Sequence, residues 1–168
     1  MSFAIDEKLQ RALDLGYAYL NRRERTVAEV RAQLERKGVS PELIDPAVRT
    51  FAEQGFLDDE RFVQLFISDK RELEQWGSER IRRGLLARGI DRELAERAVA
   101  PGAGDADPLA DEEPTELERA LELLRGRFPD PPRARRERDR ALGVLLRKGY
   151  ESELALDALS AYAREAGD

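Results

Sequence analysis

The sequence contains no cysteine and no histidine, and it has a single tryptophan and a single methionine in 168 residues. Without cysteine the chain can form no disulfide and offers no thiol nucleophile or thiolate metal ligand. Without histidine it also lacks the commonest general base and the commonest zinc ligand. These absences count against an enzyme or a metalloprotein, so we expect no catalytic residue, no cofactor and no metal site.

Long apolar runs and phosphate-binding loops are also missing. No apolar stretch approaches the roughly 20 residues of a membrane-spanning helix. The N-terminal segment MSFAIDEKLQ contains acidic residues and no apolar core of the kind found in secretion signals. Neither the GxxxxGK[ST] nor the GxGxxG pattern occurs, which argues against ATP hydrolysis by the chain. We therefore expect a soluble cytoplasmic protein without membrane contact.

What the sequence does contain is charge, unevenly placed. The chain is 41% hydrophobic and 38% charged, with a net charge of −6. Its apolar residues must therefore be distributed over several thin cores. Residues 105–118 hold seven acids and no base, whereas residues 133–148 hold seven bases and two acids. The protein is acidic overall but has local basic faces, which favour contact with an acidic partner or a nucleic-acid backbone.

Three glycines follow the same pattern, Leu-x-x-[Lys/Arg]-Gly, and each is followed by a downstream leucine and an alanine-aliphatic pair. The pattern ends at Gly38, Gly89 and Gly149, at intervals of 51 and 60 residues. It is typical of a helix C-terminus, because glycine adopts the left-handed conformation without steric cost and the next residue packs back onto the leucine. Three copies with matched downstream residues indicate an internal repeat.

The repeat predicts an all-α protein, an elongated array of three tandem three-helix repeats that resemble helix-turn-helix units. The expected divisions are repeat one at 1–57, repeat two at 58–100, an acidic Pro/Gly linker at 101–114 and repeat three at 115–168. Thr26 with Glu29, and Thr115 with Glu118, have the spacing of a capping box at a helix start. Asp58 and Asp59 suit a helix start in the same way, and we prefer that role to a catalytic or metal-binding one.

The basic residues collect on the middle helix of each predicted repeat, which makes these helices the candidate contact surface. The set comprises Arg31, Arg36 and Lys37 in repeat one; Arg80, Arg82, Arg83 and Arg88 in repeat two; and Arg133, Arg135, Arg136, Arg138 and Arg140 in repeat three. A solvated helix face explains such residues equally well. Sequence-specific reading of the DNA major groove is disfavoured, because the third helices are neutral to acidic and would repel phosphates.

Several blocks of the sequence resemble the RecX family of regulatory proteins. The matching residues are the run from Tyr19 to Gly38 containing Arg23-Glu24-Arg25-Thr26, then Gly55-Phe56-Leu57-Asp58-Asp59 with Arg61-Phe62, and then Gly77-Ser78-Glu79-Arg80-Ile81-Arg82 with Arg88-Gly89-Ile90. Together they cover roughly residues 12–100, and the third repeat matches mainly from Leu145 to Ala158.

This resemblance implies a monomeric, non-enzymatic regulator that lies along the filament formed by the recombinase RecA on single-stranded DNA. It implies inhibition of filament extension, ATP hydrolysis, strand exchange and coprotease activity, and thereby a role in homologous recombination and the SOS response. A helical module that binds single- or double-stranded DNA directly is the main alternative. An unrelated adaptor scaffold is a third hypothesis.

Overall fold

The computed structural model describes residues 2–103 and 113–165, and over these ranges it contains nine α-helices and no strand. The predicted all-α class is confirmed. The helices are α1 Ser2–Leu20, α2 Val27–Arg36, α3 Pro41–Glu53, α4 Asp59–Glu72, α5 Ser78–Ala87, α6 Arg92–Val99, α7 Glu116–Arg127, α8 Arg135–Lys148 and α9 Ser152–Glu165. The predicted linker at 101–114 falls largely on residues 104–112, which lie outside the described residues.

Capping boxes begin α2 and α7. The Thr26 hydroxyl accepts the amide of Glu29 at 3.1 Å, and the Glu29 carboxylate accepts the amide of Thr26 at 3.0 Å. Thr115 and Glu118 exchange the equivalent bonds at 3.2 and 2.6 Å. Each pair satisfies two backbone donors that a helix start leaves without an intrahelical partner.

The middle helix of each three-helix group ends at a glycine with positive φ, +77° at Gly38, +77° at Gly89 and +93° at Gly149. After each glycine the next amide turns back to the leucine carbonyl five residues before it. Val39 donates to Leu34 at 3.0 Å, Ile90 to Leu85 at 3.2 Å and Tyr150 to Leu145 at 3.1 Å. This is the Schellman arrangement, which closes the last turn of a helix.

The chain divides into two compact units, and the division runs through α4, α5 and α6. Unit one consists of the residues up to Leu65 together with Leu85–Leu94. Unit two consists of Phe66–Gly84 and the described residues from Ala95 onward. This division into two units does not test the predicted repeat boundaries at 57/58 and 100/101, which stay predictions.

Each unit has its own apolar core. In unit one, Phe51 and Leu34 are fully buried, and they belong to a cluster that α1, α2 and α3 build together. In unit two, Leu124 of α7, Leu145 of α8 and Ala158 of α9 are fully buried in one cluster. These thin cores of three helices match the dispersed apolar residues of the sequence.

The described residues contain neither a candidate membrane-spanning helix nor a candidate metal-binding cluster. No helix over residues 2–103 and 113–165 combines the length and apolar character that a bilayer crossing requires. Within the same ranges no three acidic side chains converge as a metal site would need.

Candidate partner-binding surface

Unit one contains a joint in which the start of α2 meets the end of α5 and the start of α4. The hydroxyl of Thr26, which is fully buried, donates to the carbonyl of Arg88 at 2.7 Å. The amide of Val27 donates to the Asp59 carboxylate at 2.9 Å. A guanidinium nitrogen of Arg88 lies 3.7 Å from the Glu29 carboxylate. Hydrogen-bond donors at the start of α2 thus meet acceptors at the end of α5 and the start of α4.

Unit two contains the same joint, built by the start of α5, the end of α8 and the start of α7. The amide of Gly77 donates to the Lys148 carbonyl at 2.8 Å. The amide of Ser78 donates to the Glu116 carboxylate at 2.7 Å. Gly77 and Ser78 stand twelve and eleven residues before Gly89, as Thr26 and Val27 stand before Gly38. Asp59 and Glu116 are the first residues of α4 and α7.

The joint in unit two carries additional bonds that hold the α4–α5 connection against α8. The Lys148 ammonium donates to the Glu74 carbonyl at 2.6 Å, and Arg80 donates to the Arg147 carbonyl at 3.0 Å. The Tyr150 hydroxyl lies 3.4 Å from the Gln75 carbonyl. Burial raises the pKa of Tyr150 to about 12, because the phenolate form loses its solvation there. Tyr150 therefore stays neutral and keeps its proton to donate.

Beside this joint an open depression brings together basic side chains and the single tryptophan. It is lined by Trp76, Arg80, Arg83, Gly84 and Arg147, and its volume is about 540 Å³. The Arg80 guanidinium carbon lies 4.1 Å from the centroid of the Trp76 ring, and the Lys70 ammonium lies 4.7 Å from it. Such cation–π contacts hold the Trp76 ring in place, and the cations of Arg80 and Lys70 keep their charge. We call this feature the basic depression.

Among the predicted contact residues in unit one, most have partners within the chain. Arg31 pairs with Asp45 of α3, and Arg36 donates to Gln33 one turn earlier. Arg88 belongs to the joint through its contact with Glu29. Lys37 is exposed at the end of α2. The predicted cations of unit one are therefore largely engaged in holding the fold.

Of the predicted contact residues of α5 in unit two, Arg82 and Arg80 are held by partners within the chain, whereas the charge of Arg83 is available to an external partner. Arg82 forms an ion pair with Glu79 at 3.2 Å, and the hydrogen bonds to this carboxylate raise the pKa of Arg82. Arg80 is held by Trp76 and by the Arg147 carbonyl. Arg83 is exposed and donates only to the Glu79 carbonyl, at 3.3 Å, so its charge has no carboxylate partner in the described chain.

The arginines that begin α8 are the most available of the predicted set. Arg133, Arg135, Arg136, Arg138 and Arg140 are all exposed, and none of their guanidinium groups contacts a carboxylate within residues 2–103 and 113–165. The Glu137 carboxylate instead accepts the amides of Arg133 and Ala134, both at 3.1 Å.

The two predicted aspartates at the start of α4 divide their roles. Asp58 accepts the amide of Arg61 at 3.0 Å, as a helix cap does. Asp59 accepts the amide of Val27 and so belongs to the joint of unit one. Half-burial, followed by the nearby Asp58 and Glu29 charges, raises the pKa of Asp59 despite that hydrogen bond.

Sequence reasoning missed two residues of the basic depression. Trp76 was not among the predicted contact residues, although a lone tryptophan next to a basic helix is itself a signal. Arg147 was counted in the basic tract at 133–148 but not among the contact residues. No local pattern relates position 147 to position 83, because the two side chains meet only through the joint.

Comparison with known proteins identifies the family. A model of the first three-helix domain of RecX matches residues 12–49, and a model of its second three-helix domain matches residues 58–99. Regulatory protein RecX of Halorhodospira halophila is 32% identical over 149 residues, which cover 88% of this chain and 86% of the relative. The chain belongs to the RecX family. Regulatory protein RecX of Xanthomonas campestris pv. campestris is 33% identical, over 85% of this chain and 80% of the relative.

A solved RecX structure shares the fold. The crystal structure of RecX from Lactobacillus salivarius superposes with a TM-score of 0.75 and covers 94% of this chain and 97% of its own, at 18% identity. The relatives are named regulatory proteins, and the resemblance seen in the sequence is confirmed at the level of the family.

Proposed function

We propose that this protein binds the RecA–single-stranded-DNA filament and inhibits its extension, ATP hydrolysis, strand exchange and coprotease activity. It acts as a non-enzymatic cytoplasmic regulator of recombination and of the SOS response. Membership in a family of regulatory proteins supports this proposal. The available charges of the basic depression support it as well, as the candidate contact surface of such a regulator.

The single observation that carries the contact assignment is the state of Arg83 and Arg147. Both side chains are exposed, both line the basic depression, and neither is paired with a carboxylate in the described chain. Arginine recognises carboxylates and phosphates through a fork of donors, so an unpaired arginine beside a fixed aromatic ring suits a partner contact. Arg80 serves the joint as well, which makes its substitution a less specific test.

The test is a titration of the purified protein into a RecA ATPase assay at constant single-stranded DNA. We expect wild type to inhibit hydrolysis, and we expect Arg83→Glu with Arg147→Glu to require at least about tenfold more protein, as loss of charged contacts predicts. Arg11→Glu with Arg49→Glu is the matched control, because it makes the same charge change at two exposed arginines of unit one.

The outcomes separate the hypotheses. Wild type without effect at ratios that saturate the filament contradicts the proposed function. Equal weakening by the control pair contradicts the assignment of the basic depression, since net charge alone would then explain the loss. Circular dichroism and urea unfolding establish that each variant remains folded.

A further inference from the structure

A line of arginines runs along the solvent face of α8 toward the basic depression. Arg140 follows Arg136 by four residues, and Arg147 follows Arg136 by eleven. With about 3.6 residues per turn, these three positions lie within about 40° of one another around the helix axis. Ala141 and Leu145, which are fully buried, lie on the opposite side of α8. The arginine line therefore lies on the solvent-exposed side of α8.

Gly143 lies in the same line, and its lack of a side chain leaves room for the Arg147 side chain. A Cβ at position 143 would stand 3.0 Å from a guanidinium nitrogen of Arg147, so the Arg147 side chain lies back along the helix over this glycine. From Arg136 to Arg147 the helix rises by roughly 16 Å, at about 1.5 Å per residue. We call the line formed by Arg136, Arg140 and Arg147 the α8 track.

One charge of the α8 track is unfavourable for the helix itself. Arg136 lies in the first turn of α8, where the helix dipole is positive and disfavours a cation, and Arg140 follows one turn later. Neither side chain has a carboxylate partner in the described part of the chain. Asp139 is exposed at the edge of the track, and Glu137 is occupied by the backbone amides that precede the helix. An external anion is the partner that this arrangement lacks.

We propose that the α8 track binds the phosphodiester backbone of a single-stranded nucleic acid directly, with successive phosphates along the helix. This inference deepens the proposed function, because it places the nucleic acid of the filament on α8. Charges in a line of roughly 16 Å match roughly three to five successive phosphates. The track positions themselves are three arginines and one glycine, without the apolar centre typical of a protein interface. A nucleic acid therefore fits better than an acidic protein face.

The experiment measures fluorescence anisotropy of a fluorescein-labelled 15-nucleotide oligothymidylate without RecA, between about 50 and 200 mM NaCl. Binding to single strands should weaken with salt at about 0.7 log units per log unit of salt for each phosphate contact. Three contacts give wild type a slope of about −2. Arg136→Glu with Arg140→Glu should lower affinity at least about tenfold and reduce the slope by about 1.4. The Arg11→Glu/Arg49→Glu pair should stay within about twofold of wild type.

Two results overturn the inference: wild type that fails to bind the oligonucleotide at about 50 mM salt, and a control pair that loses as much affinity as the track variant. The ATPase titration keeps the two proposals apart. If the protein inhibits RecA but does not bind the oligonucleotide, the inference about the α8 track is contradicted and the proposed function is still supported. Oligonucleotide binding that depends on the track, without any effect on RecA, supports the track and contradicts the proposed function.

Discussion

At the scale of single residues, Phe51 occupies the space that a side chain at position 16 would fill. A Cβ on Gly16 would stand 2.1 Å from the ring carbon Cζ of Phe51. Phe51 is fully buried and packs edge-on against Tyr17 at 5.1 Å between ring centroids, so the ring has no room to retreat. Glycine inside a helix ordinarily weakens it, because it has a low helix propensity. The structure gives it a second role, because this glycine admits the largest side chain of the unit-one core.

Gly16→Ala should therefore destabilise the protein, although alanine favours helix. The propensity gain is about 1 kcal/mol, whereas overpacking a tight core costs about 1–3 kcal/mol. The contact far below van der Waals distance places the overpacking cost at the upper end, so we expect a net loss of about 1–2 kcal/mol in urea unfolding. Gly126→Ala in α7 is the control, since nothing lies within 4 Å of its added Cβ. A gain in stability at position 16 would contradict the packing argument.

The raised pKa of Asp59 gives a pH dependence of known sign. Because burial raises this pKa above its ordinary value of 3.8, the folded state binds the proton more tightly than the unfolded state. The contribution of Asp59 to stability is therefore fully present below pH 3.8 and is lost as pH rises through the raised pKa. Asp59→Asn should remove this part of the pH dependence, because the amide oxygen still accepts the Val27 amide without a charge.

Unfolding free energies measured for wild type and the Asp59→Asn variant across the acidic range check this prediction. The difference between the two proteins should grow in favour of the variant as pH rises from about 4 toward neutrality. Parallel curves for the two proteins would show that Asp59 titrates alike in the folded and unfolded states.

At the scale of elements, the three glycine stops have one sequence pattern and three different surroundings. An added Cβ on Gly38 meets nothing within 4 Å. On Gly89 it would stand 2.3 Å from the Ala28 Cβ, and on Gly149 it would stand 2.2 Å from the Arg80 Cβ. Two of the glycines thus permit the close approach of a joint, whereas Gly38 serves only the turn that ends α2.

Alanine substitutions should rank these sites. Gly38→Ala should cost about 1–2 kcal/mol, the usual penalty of a left-handed conformation for a residue with a Cβ. Gly89→Ala and Gly149→Ala should each cost about 1–3 kcal/mol more, because the new methyl group also overpacks the joint. Chemical denaturation of the three variants checks the order. If all three variants lost the same free energy of unfolding, the joints at Gly89 and Gly149 would accommodate the added methyl group without a packing cost.

The same contrast shows what the sequence could predict about helices. Caps and stops connect residues three to five apart, so the Thr26–Glu29 box and the turn at Gly89 follow from local chemistry. The hydrogen bond from Thr26 to Arg88 connects residues 62 positions apart, and no sequence periodicity predicts it. No cap pattern in the sequence marks the start of α1, which the structure places at Ser2.

At the scale of the whole molecule, the fold class and family followed from repetition and from matched motifs, whereas the surface did not. The basic helices were visible in the sequence, but which guanidinium groups stay available depends on distant carboxylates such as Asp45 and Glu29. The basic depression needed the joint of unit two to bring Arg147 beside Arg83. Net charge alone would have hidden both the basic depression and the α8 track.

The duplicated joint makes this architecture extensible. In both joints the start of one middle helix donates to the end of the next, so the second three-helix group carries both halves of the connection, the acceptor at Arg88 and the donor at Gly77. A copy of the second group inserted beside it would replace one joint by two, whereas insertion of a fraction of a group would separate the donor from its acceptor. In α8 the position that matches Thr26 and Gly77, twelve residues before Gly149, falls on Glu137 inside the helix. The third group therefore lacks the donor half at this position, so whole groups could be added only ahead of it.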